Sequence, residues 1–167
     1  MGRLFLNLLL MFGRLQDVVN NVLNADEDKL FVTVIGKEKV KDLIVRLNTV
    51  EQLFKQGVNY KGNSLGVYSE KSEEINEGRT FSVEGESRKK IAGETYIRCE
   101  EGDFYNSVRV RVYKDYFTVE SLHRLEDGRE IADKFKNILG LTTESKNELG
   151  KEIIPEVRKE AKKVVLA

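Results

Sequence analysis

Between Lys37 and Gln56, large apolar residues return at the spacing of a single helix face: Val40, Leu43, Ile44, Leu47, Val50, Leu53 and Phe54. Positions three and four apart stack on the same side of an α-helix. Gly57 follows, a residue suited to the left-handed turn that ends helices. A stripe of this length must be buried, so the fold has to be built around a helix predicted over about residues 37–56. The stretch before it, Leu30 to Ile35, is ambiguous between helix and strand: its β-branched residues favour a strand and its neighbours a helix.

Upstream, Leu4, Leu8, Met11, Leu15, Val18 and Val22 form a second stripe, with Phe5, Leu9 and Phe12 beside it. This predicts an amphipathic N-terminal helix that buries against a tightly packed core or a partner subunit. The apolar run is far shorter than the ~20 residues of a membrane-spanning helix. Arg14 and Asp17 follow it at once, which does not suit a signal peptide.

After Gly57 the composition shifts. Residues 70–103 carry ten acids, six bases and four glycines, which reads as a long exposed loop with a hairpin near Glu84-Gly85-Glu86. Val108, Val110 and Val112 then alternate with Arg109, Arg111 and Tyr113, the period of a strand with one apolar and one charged face. Lys114-Asp115 supplies a turn and Tyr116 to Glu120 a second strand. Arg129 to Leu139 reads as a short helix or turn. Thr142 is placed to cap a last helix, in which Leu149, Ile153, Val157 and Ala161 share a stripe. Glu144, Glu148, Glu152, Glu156 and Glu160 recur every four residues, spaced to pair with Lys151, Lys159 and Lys163 on the same helix. Pro155 removes a backbone donor there, so a kink or restart is expected near Ile154.

The expected fold class is α+β in one domain, 1–167. It comprises a helical part (1–57), an extended loop region (58–103), a β-hairpin (104–121) and C-terminal helices (129–165).

The equipment for catalysis is sparse. The chain has one histidine and one cysteine among 167 residues, which excludes disulfides within the chain, cysteine-based zinc clusters and mechanisms using two imidazoles. His123 lies near Glu120 and Asp127, but no nucleophile signature accompanies it. Cys99 lies between Arg98 and Glu100, whose effects on its thiol oppose each other. The pairs Glu73-Glu74 and Glu100-Glu101 lack calcium-loop spacing. The glycines fit no phosphate-binding fingerprint. The 28 basic and 28 acidic residues cancel to zero net charge, so there is little overall attraction toward phosphate. A nucleic-acid alternative rests on Arg109 and Arg111 on one strand face, on Arg88-Lys89-Lys90, and on Tyr105, Tyr113 and Tyr116 as stacking surfaces.

Three blocks carry a resemblance. The run Gln52-Leu53-Phe54, Gly57, Gly62, Leu65-Gly66 and Tyr68-Ser69 is similar to a segment of small virion-assembly proteins of tailed phages and prophages, in the version found in Bacteroidetes hosts. Gly102-Asp103-Phe104-Tyr105-Asn106-Ser107 resembles a second signature of that family, with Glu101 in place of its usual threonine. Leu139-Gly140-Leu141-Thr142-Thr143-Glu144-Ser145 resembles the lead into its last helix. The blocks occur in the family's order over roughly residues 48–165. The resemblance implies a tail-completion or head–tail connector (neck) protein of the virion, not an enzyme and without cofactor or metal. Its expected partners are further copies of itself in a ring and the portal, adaptor and tail proteins. DNA would pass through the lumen without specific binding, and no membrane is involved. Phe5, Phe12, Tyr68, Phe81, Arg109, Arg111 and Tyr113 are the expected contact residues. Phe104 and Tyr105 are expected on opposite faces of the hairpin's first strand.

Overall fold

The long apolar stripe does become the centre of the protein, though not as one uniform helix. A computed structural model describes residues 27–97, 103–121 and 137–166. In it α1 (Glu27–Ile35) turns at Gly36 into α2 (Glu38–Arg46), which continues as a π-helix over Leu47–Gln56. Leu30 to Ile35 is therefore helix, and the predicted helix is an α-helical half followed by one with i→i+5 bonding. Apolar spacing over ten residues does not separate the two bonding patterns, and the Thr49 hydroxyl occupies the Val45 carbonyl at 2.8 Å. Gly57 ends the rod at φ 63°, as expected. A Cβ there would stand 2.6 Å from the Thr95 Cβ, so only glycine fits.

The two halves of the rod serve two cores. Val40, Ile44 and Leu47 pack with Ile35, Leu141 and Leu149. Val50, Leu53 and Phe54 pack with Tyr68, Phe81, Val83, Ile97, Phe104, Tyr105, Val108 and Ile138. Each fully buried side chain of this kind stabilises the fold by about 1.5–3 kcal/mol relative to exposure.

The second core corrects the reading of residues 70–103 as a long exposed loop, over the part of it that the structure describes. The segment folds back as α3 (Glu70–Ile75), capped by the Ser69 hydroxyl accepting from the Ser72 amide, and a small hairpin of β1 (Phe81–Val83) and β2 (Glu86–Arg88). The expected turn at Glu84-Gly85 joins these strands, with Glu84 at φ 48° and Gly85 at φ 85°. Acid-rich composition concealed the alternation: Phe81 and Val83 point inward while Ser82 points out.

Asp103–Ser107 forms a short helix, α4, and this corrects the expectation for Phe104 and Tyr105: both are buried on the same core. β3 (Val108–Val112) and β4 (Phe117–Ser121) follow as the predicted antiparallel hairpin, turning at Lys114-Asp115, with Val110 opposite Val119 and Arg109 opposite Glu120. The valine face of β3 lies against α2. Finally α5 (Thr143–Leu166) runs unbroken through Pro155, with neither stop nor restart. Pro155 and Lys151 are both exposed, so solvent can satisfy the Lys151 carbonyl that the missing donor frees. Thr142 caps α5 as predicted, its Oγ1 accepting from the Ser145 amide at 3.1 Å. Helices and two two-stranded antiparallel sheets together make an α+β fold. No helix among the described residues is long and apolar enough to cross a membrane. The predicted N-terminal helix, and most of the predicted element at 129–139, lie outside the described residues.

Candidate interaction surface

The three sequence blocks meet in space. Gln52 is fully buried. Its amide donates to the Gly140 carbonyl at 2.9 Å, and its Oε1 accepts from the Thr142 amide at 2.8 Å. Asn48, one turn away, donates to the carbonyls of Gly140 at 2.6 Å and Ile138 at 3.3 Å. On the other side the Ile97 peptide lies between two tyrosines. Its amide donates to the Tyr68 hydroxyl at 3.1 Å, and its carbonyl accepts from the Tyr105 hydroxyl. Tyr105 also stands edge-on to Phe54, with centroids 6.1 Å apart. Buried polar groups need such partners, and sequence spacing gave no hint of these, since the partners of Gln52 lie about ninety positions away.

Tyr68 and Phe81, expected as contact residues, are thus core residues. The basic run Arg88-Lys89-Lys90 is also mostly internal. Arg88 donates to the last carbonyls of the π-helix, Phe54 at 2.8 Å and Lys55 at 3.0 Å, where a cation also suits the negative end of a helix. Lys90 is buried with its ammonium 4.1 Å from the Phe81 ring centre. Only Lys89 of the three is exposed. Phe5, Phe12, Cys99 and His123 lie outside the described residues.

The hairpin keeps its predicted charged face. Arg109 and Arg111 are both exposed on the side of the sheet away from α2. Glu120 leans toward Arg111, at 3.5 Å, and accepts from the Thr118 hydroxyl. Tyr113 and Glu120 together hold the Arg111 guanidinium above its usual pKa. Tyr113 lies flat against Tyr116, centroids 4.5 Å apart at 12°. The tyrosines stack on each other and one arginine is neutralised, which leaves little of the platform a nucleic acid would need.

A second charged arrangement ties α5 to the front of the rod. Lys37 donates to Glu156 and to Glu160, both at 2.7 Å, and Lys39 also pairs with Glu156. The glutamate row therefore reaches across to the α1–α2 junction, and of the expected same-helix pairs with these two acids the structure forms Glu160 with Lys163. Lys37 first, then Lys39, hold the Glu156 carboxyl down to about 2, and Lys37 and Lys163 lower that of Glu160. The two glutamates in turn raise Lys37. Carboxylates held low in the fold stabilise it fully above their unfolded value, about 4.3, and that share is lost as pH falls toward 2. The Lys37 share is complete below about 10.4 and lost as pH rises beyond it. The denaturation midpoint of the wild type is accordingly expected to fall on acidification from about pH 4.5 to 2. In a Glu156→Gln/Glu160→Gln variant that fall should shrink; an unchanged profile in denaturant titrations would refute the assignment.

A cavity of about 550 Å³ opens between α2, the β1–β2 turn and the start of β3, lined by Lys39, Asp42, Leu43, Val45, Arg46, Glu84 and Val108. Among the described residues no group of three or more His, Cys, Asp or Glu side chains is placed to hold a metal ion. No protein family, curated protein or solved structure matches the chain.

Proposed function

We propose that this chain is a non-enzymatic assembly protein of a tailed-phage or prophage particle, acting at the head–tail connector or in tail completion. The observation that carries the reading is that the three blocks similar to that family also hold the core together. Gln52 reaches Gly140 and Thr142, Phe54 meets Tyr105, and Tyr68 shares the Ile97 peptide with Tyr105. Residues at these positions specify a scaffold, and the blocks place no nucleophile beside a base. Charged faces such as the Arg109 and Arg111 side of the hairpin suit contacts that fix the register of one subunit on another.

The test is location. Particles released from the source cell, purified on a density gradient and probed with an antibody against the chain, should carry the protein. Deleting its gene should leave filled heads without tails. A protein that is strictly monomeric and absent from particles would overturn the reading.

A further inference from the structure

The outer face of the hairpin and the cavity beside α2 carry opposite unbalanced charge on opposite sides of β3. In the cavity, the two cations are already engaged: Lys39 with Glu156, and Arg46 with Glu51 at 3.4 Å. Asp42 and Glu84 have no hydrogen bond or ion pair among the described residues, and the same lining holds the apolar side chains of Leu43, Val45 and Val108. Glu84 holds its place at φ 48°, in a turn that favours asparagine or glycine. Across the strand, Glu120 is committed to Arg111 and Thr118, which leaves its cross-strand neighbour Arg109 exposed and without an acceptor among the described residues.

We propose that the cavity is a docking site for a second copy of this chain, which inserts Arg109 between Asp42 and Glu84. A planar guanidinium matches two carboxylates, and its aliphatic stem matches the apolar side chains of the lining. Because donor and acceptor lie on opposite sides of the same strand, the contact is head-to-tail, and each copy retains a free site for the next. The idea deepens the assembly reading above and rests on it for the meeting of many copies.

The test is sedimentation of the full chain at low and high salt, with circular dichroism to confirm that each variant is folded. The wild type should self-associate at low salt and less so at high salt. Arg109→Glu, and separately Asp42→Lys/Glu84→Lys, should each weaken self-association about tenfold or more. Mixing the two should restore association, since Arg109 of the Asp42→Lys/Glu84→Lys chain meets the carboxylates of the Arg109→Glu chain and the reversed charges match at the other junction. Arg109→Gln, a milder change, should behave as Arg109→Glu does. Self-association of Arg109→Glu equal to the wild type, or a wild type that stays monomeric at low salt, would overturn the proposal. The outcomes separate from those for the function: particles containing an Arg109→Glu chain in normal amount would remove this contact and leave the connector role. A charge-dependent contact in a protein absent from particles would do the reverse.

Discussion

Replacing Phe54 by alanine is expected to cost about 3–5 kcal/mol of folding stability, the range for deleting a buried aromatic ring from a core that cannot collapse around the gap. Phe54 is fully buried and belongs to the second core. The Tyr105 ring meets it edge-on at 6.1 Å and is itself held by the Ile97 carbonyl and by Phe104, 5.5 Å away. A ring fixed on two other sides cannot move into the vacated space, so most of the cavity should persist. Set against a typical total of about 5–15 kcal/mol, the loss brings the protein close to unfolding. Denaturant melts would show the midpoint shift with the slope unchanged. A loss below about 1.5 kcal/mol would mean the core repacks, contrary to the constraint placed on Tyr105.

The second large effect is expected from Gln52→Leu, which nearly conserves volume and deletes only polar atoms. The Thr142 amide is left buried with no acceptor, at a cost of about 1–3 kcal/mol, while Gly140 keeps its bond from Asn48. A specific signature should accompany the loss: faster hydrogen exchange at the Thr142 amide, with the amide of Val40 changing only as far as global stability does. A Gln52→Leu protein as stable as the wild type would show that the bond to α5 contributes nothing net. Gln52→Glu should be worse than Gln52→Leu, because it brings a buried carboxylate up to the Gly140 carbonyl.

Much of this architecture was legible because some signals are local. Val40, Ile44, Leu47 and Leu53 announced the rod, Gly57 its end and Thr142 the cap of α5. The alternating valines announced β3, and the tight turns its partner strand and the small hairpin. What stayed hidden depends on partners far along the chain. Asn48 and Gln52 look like the polar side of a helix until the backbone groups near residue 140 arrive. Arg88 and Lys90 look like a solvated patch, yet their long stems let them bury against carbonyls and a ring. The acids around Phe81 and Val83 masked a two-residue alternation too short to stand out. At the candidate surface, sequence placed Arg109, Arg111 and Tyr113 on the hairpin, but it could not show that Arg111 is already paired while Arg109 has no partner among the described residues. Asp42 and Glu84 come together only through the packing of the β1–β2 turn beside α2.

The bonds from Asn48 and Gln52 also act as a ruler. An apolar groove tolerates a chain that slides by one position, because leucine and isoleucine exchange places with little penalty. Here the two amides read the carbonyls of Ile138 and Gly140 and the N–H of Thr142. Slippage by one residue would strand all of them in a dry interior. The lead into α5 can therefore dock in a single alignment, and the position of the whole helix, including the glutamates that reach Lys37, is set by two side chains a hundred residues upstream.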